Sequence, residues 1–175
     1  PGSYRVSMDL VSRKGMERLV EPVEFRAELL DIATLPAEDR AEVIAFQAEV
    51  TELSRVFLGL EQKVEEESEK VEYMLQAALQ TPGLPLEVLD ELKSIRRELR
   101  SIRHTLDGPS AKASWEELPP MDMPLGRRLN VAVGTHWNNT AGVTETARAQ
   151  FEILKDEFPP VIDRLKGIIV KREAA

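Results

Sequence analysis

The sequence contains no cysteine. Disulfides, thiolate nucleophiles and zinc–thiolate centres are therefore excluded, while the redox compartment stays open, since such a chain suits reducing and oxidising surroundings alike. Histidine is nearly absent as well, with only His104 and His136. A di-metal site inside a helical bundle needs a Glu with a His three residues on. The residues at that spacing here are Ser101 and Val133, so neither that site nor a structural zinc is expected, and no cofactor is called for. No apolar run reaches the roughly 20 residues that span a bilayer. Ile168-Ile169-Val170 is only a fragment of a helix face, and the first residues lack the basic and apolar regions of a signal peptide. There is no Gly-x-Ser-x-Gly elbow and no glycine-rich loop ending in Lys-Ser/Thr. These residues are not expected to form an enzyme.

Aromatic residues are scarce, at 5%, whereas charged residues reach 31% and hydrophobic ones 42%. That balance suits long solvated helices around an apolar core, and disorder throughout is excluded. The formal charge of −8 argues against nucleic acid or an anionic membrane as the main partner. The basic group Arg96, Arg97, Arg100 and Arg103 is offset by nearby acids.

Along the chain the apolar period changes once. Tyr4, Val6, Met8 and Leu10 alternate with polar residues, Ser12 to Gly15 reads as a turn, and Val23, Phe25, Ala27 and Leu29 alternate again. A hairpin alone is marginal in water. Either it lies on the helices or its partner strands belong to a preceding domain, and the start Pro1-Gly2-Ser3-Tyr4 favours the second. Residues 1–33 are accordingly expected to be the end of a truncated β-sandwich domain, and residues 34–175 a helical bundle.

The first helix is expected over residues 36–80, with Pro36 in its first turn. Its seam is Val43, Phe46, Val50, Leu53, Phe57, Leu60, Val64, Val71, Met74 and Ala78, interrupted by Glu67. Gly59 is its weak point. Thr81-Pro82-Gly83-Leu84-Pro85 stops one helix and starts the next. The second, residues 85–106, carries Val88, Leu92, Ile95, Leu99, Ile102 and Leu106. So short a connection forces an antiparallel hairpin. Paired outward from Gly83, Ala78 meets Val88, Met74 meets Leu92, Val71 meets Ile95, Glu67 meets Leu99, Val64 meets Ile102 and Leu60 meets Leu106. Glu67 then reads as a polar register pin reaching Arg96 or Arg103. A long crossing holding Trp115 precedes two further helices, residues 124–134 and 144–170. The last of these is expected to continue, kinked, through Pro159-Pro160. These two helices are the only cover left for the Val43–Phe57 half of the first.

The most site-like segment is Gly134 to Thr140. His136, Trp137, Asn138 and Asn139 combine an aromatic plate, an imidazole and amides, a set able to stack on and hydrogen-bond a glycan or peptide. The plainer alternative has Trp137 plugging the bundle end while the asparagines turn the chain. Asn138-Asn139-Thr140 is also a glycosylation sequon.

The order of motifs carries a resemblance. A Pro-Gly-Ser-Tyr-x-Val strand pair is followed by a long helix with a Thr-Pro-Gly turn, then by a basic helix ending Leu-Asp-Gly. A Pro-Pro crossing, a His-Trp-x-x-Thr loop and a Phe-Glu-Ile-Leu…Glu-Phe-Pro-Pro-Val helix complete it. This resembles the C-terminal region of bacterial proteins with sortilin-like or BNR-repeat β-propellers, many of them labelled glycosyl hydrolases. The resemblance implies an immunoglobulin-like domain ahead of the helices and export to the periplasm or cell surface. It also implies a partner in the rest of the parent chain or in another protein. Any hydrolase activity would belong to the propeller, so no catalytic residue is carried over.

Overall fold

The computed structural model describes residues 1–28, 30, 35–109, 114–118, 120–137 and 140–174; the side chains of residues 115, 135, 136 and 174 lie outside that description. The protein is mainly helical, with an N-terminal two-stranded antiparallel hairpin and four helices. It divides into two compact units, Pro1–Thr34 and Leu35–Ala175.

In the first unit β1 (Gly2–Ser12) pairs with β2 (Gly15–Ala27). Gly15, at φ 124°, closes the turn in a region side chains avoid. The second strand starts eight residues before the Val23 at which alternation suggested it. Its register shifts between Val6 and Met8 and again between Met8 and Asp9. Each shift inserts an extra residue into β2, and a bulge of this kind breaks the period of two that identifies a strand. Pro22 falls in the first irregularity, a place where its missing N–H costs no ladder bond. Leu29, which the alternation included, lies outside the described residues.

In the second unit α1 is Arg40–Gln80, one uninterrupted helix through Gly59. It begins four residues later than Pro36 suggested, because Asp39 is the cap: its carboxylate accepts from the N–H groups of Ala41 and Glu42. The Ala37 N–H is used elsewhere, donating to the Thr140 carbonyl at 2.9 Å. Thr81 ends α1, and Gly83, at φ 80°, turns the chain into α2 (Leu86–Asp107). Cross-helix ion pairs fix the register. Arg96 meets Glu72 at 3.5 Å and Arg103 meets Glu65, both pairs centred on Leu84, one residue from the expected centre. Val71 and Ile95, nearly inaccessible at 0% and 1%, share one core. Leu75 is buried where the strict three-four alternation selected Met74, which is only half-buried.

A single 3-10 turn, Trp115–Glu117, lies in the crossing that leads to α3 (Leu125–Trp137) and α4 (Glu145–Ala174). Thr144 caps α4, its hydroxyl accepting from the Ala147 N–H. The helix continues through Pro159 and Pro160 to Ala174, four residues beyond the expected end. Helix α1 packs along α2 and α3 along α4, and the two pairs close on each other. Phe57 stacks on Phe158 with ring centroids 5.1 Å apart in the main core. Phe46 and Phe151 meet edge-on at 5.3 Å in a second cluster with Val50, Ala132 and Ala147. The last two helices thus cover the Val43–Phe57 half of α1, and the apolar groove that half would otherwise present is filled.

Candidate functional site

The segment singled out as site-like is divided by the structure. His136 and Trp137 belong to the last turn of α3, not to a loop. The side chain of His136 lies outside the described residues, as do Asn138 and Asn139 altogether. Trp137 is 58% exposed, which overturns the expectation that it plugs the bundle end. Its helix position explains this: Leu125, Leu129 and Ala132 are the buried positions of α3, and Trp137 falls off that stripe. The clefts between α1 and α2, beside Gly126 and beside Met121 do not include Trp137. Trp115, in the crossing, has its side chain outside the described residues.

A polar cluster sits at Glu67, the one charged residue in the buried set of the described residues, at 1% exposure. The expected partners, Arg96 and Arg103, are instead held by Glu72 and Glu65 on the flank. Glu67 points the other way, toward α4. Its carboxylate accepts from Lys70 at 2.8 Å, Lys63 at 3.2 Å and Arg172 at 2.9 Å. Burial works to raise its pKa, but the hydrogen bonds from Lys70, Lys63 and Arg172 outweigh it and hold the carboxyl below its ordinary value. An ionised carboxylate held by three cations is a poor proton carrier. The cluster is a clasp between α1 and α4.

A second acid, Glu61, behaves in the opposite way. Glu61 on α1 and Asp107 at the end of α2 line an open cleft of about 600 Å³ with Gly126 and Arg127 of α3. Burial first, and then the charge and hydrogen bond of Asp107, raise the Glu61 pKa. Among the described residues no group of three or more potential ligands could hold a metal ion, and no helix is long and apolar enough to cross a membrane.

The largest chemical asymmetry is in the hairpin. Directly opposed residues of an antiparallel pair share a face, so Tyr4 with Phe25, Val6 with Val23 and Met8 with Val20 form one apolar face, extended by Leu10. Tyr4 and Phe25 stack at 5.6 Å. The opposite face carries the ion pairs Arg5–Glu24 at 3.1 Å and Arg18–Asp9 at 3.0 Å. Yet Tyr4, Val6, Met8, Leu10, Val20, Val23 and Phe25 are all between 45% and 59% exposed. Exposed apolar faces of this extent are uncommon on monomeric domains. Sequence alternation located six of these seven residues; Val20 was hidden by the bulges.

Comparison of the chain with family models, with curated proteins and with solved structures finds no match.

Proposed function

We propose that the chain is a non-catalytic accessory and interaction domain in which the helical bundle is the fixed body and the β-hairpin the docking element. One observation carries this: among the described residues, Tyr4, Val6, Val23 and Phe25 build an exposed, uninterrupted apolar face on the hairpin. The bundle, in contrast, closes its own cores. In the wider reading that the motif order implies, the domain ends an exported β-propeller protein and the hairpin belongs to an immunoglobulin-like fold. That wider reading rests on the motif order alone.

The test uses the full chain with Val6→Lys and Val23→Lys together. The helical circular-dichroism melt should stay as in the parent chain, while binding of a hydrophobic dye such as anilinonaphthalene sulfonate, or association, should fall. A collapse of the helical melt would make the hairpin part of the bundle core and end the proposal.

A second reading is favoured by the exposure of Trp137: a ligand-binding module that stacks a glycan or peptide on the indole beside His136, Asn138 and Asn139. In a Trp115→Phe background, tryptophan emission during titration with soluble glycans reports on it. An emission spectrum unmoved at millimolar ligand removes this reading.

A further inference from the structure

We propose that the occupant of the hairpin's apolar face is the same face of a second copy of this chain, so that two hairpins stack into a four-stranded, two-layered β-sandwich across a two-fold axis. The inference rests on the docking role proposed above and names its partner.

The first argument is area. The seven side chains from Tyr4 to Phe25 on this face are each about half exposed. At roughly 200 Å² per large apolar side chain, the face offers on the order of 700 Å², close to the ~800 Å² that each partner contributes to a stable interface. The second argument is self-complementarity. A two-fold contact sets a surface against itself, so any charge on it risks meeting its like. The paired positions Tyr4–Phe25, Val6–Val23 and Met8–Val20 carry none, and Glu17, opposite Leu10, sits at the turn end. The charged residues Arg5, Glu24, Asp9 and Arg18 are on the other face, already paired.

The third argument concerns how the hairpin could be completed. Two strands alone are marginal, and need either more strands or a second layer. Adding strands beside β2 is disfavoured, because β2 holds two irregularities, Pro22 and the charged residues Glu17, Arg18, Glu21, Glu24 and Arg26. These are features that block edge pairing. Stacking a second layer needs no edge at all. Inner faces of two such layers sit about 10 Å apart with interdigitating side chains, and bulges, which increase local twist, do not obstruct that arrangement.

Sedimentation equilibrium of the full chain from about 5 to 200 µM tests this. The expected result is a species of twice 19.7 kDa that Val6→Lys converts to monomer, that Leu79→Lys, an exposed apolar position on α1, leaves dimeric, and that 1 M salt does not dissociate, since no ion pair holds it. A dimer unaffected by Val6→Lys overturns the proposal, as does a monomer throughout the range. In the monomer case, dye binding abolished by Val6→Lys would keep the docking role and point to strands of another chain segment or protein. A monomer with no such dye binding would end the docking role too.

Discussion

Arg172, near the end of α4, donates its Nε–H at 2.9 Å to the carboxylate of Glu67, which lies 105 residues earlier in the seam of α1. With Lys171 reaching Glu98 on α2 at 3.0 Å, the last turn of α4 is clasped to both arms of the helical hairpin. This explains why the helix persists beyond Val170, where its apolar pattern ends.

Replacing Arg172 by Met should cost about 1–2 kcal/mol in urea unfolding. The cost stays below that of orphaning a buried charge because Lys63 and Lys70 still neutralise Glu67. Glu67→Leu, which removes the polar group and fills its place, should be within ~1 kcal/mol of the parent or more stable. A loss of several kcal/mol from Glu67→Leu would show that the clasp specifies the fold rather than tuning it.

The two acids predict opposite pH responses. For Glu67 the folded pKa lies below the unfolded one, so its contribution is complete above the ordinary carboxylate range and disappears as pH falls through the depressed value. For Glu61 the folded pKa is raised, so its contribution is complete at low pH and is lost as pH rises through the raised value. Glu61→Gln should therefore stabilise the fold at pH 7 by under about 1 kcal/mol, because the group is mostly solvent-screened, and raise the Tm slightly. The gain should vanish near pH 4 in paired thermal melts. A Tm that drops at pH 7 would contradict the assignment.

Glycines offer a contrast inside one fold. A Cβ on Gly126 would meet the Leu106 carbonyl oxygen at 3.1 Å and the Phe57 ring at 3.5 Å, and Gly108 combines φ 77° with Pro124 at 2.7 Å. Alanine at either should destabilise, by roughly 1–3 kcal/mol at Gly108. At Gly59 nothing lies within 4 Å and the backbone is helical, so Gly59→Ala should stabilise by about 1 kcal/mol. Chemical denaturation of the three variants distinguishes these outcomes.

Phe57→Ala should cost about 3–5 kcal/mol, because Phe57 is 2% exposed and stacks on Phe158 where three helices meet. Leu58→Ala, one residue on and 62% exposed, should change stability by less than about 0.5 kcal/mol. Equal effects from the two would mean that the inward face of α1 is misassigned.

Much of the helical architecture was legible because its cause is local. The seams flanking Gly83 are periodic over many turns, and the turn residues leave one connection geometry. Helix boundaries were less legible, since Asp39 and Arg172 act through a cap and a long-range ion pair that periodicity does not register. The direction in which Glu67 points was illegible for a related reason. A residue in the seam between two helices can face a third, and only the return of α4 decides it. The alternative in which Trp137 plugs the bundle end follows from its large ring, whereas its angular position on α3 places it outside. The hairpin face was legible on β1 and at Val23 and Phe25 of β2, whereas Val20 was not, because the bulges shift the phase of β2 around it.

Pro159 and Pro160 stand back to back in α4, and neither can donate to the carbonyl four residues before it. Both are exposed, as are Lys155 and Asp156, whose oxygens are released. Solvent can take those two bonds, and the helix is anchored upstream of the prolines through Phe151 and Leu154 and downstream through Leu165, Ile168 and the Arg172 clasp. Amide exchange should accordingly treat α4 as two cooperative blocks, the second opening with the α1–α2 arms rather than with its own first half.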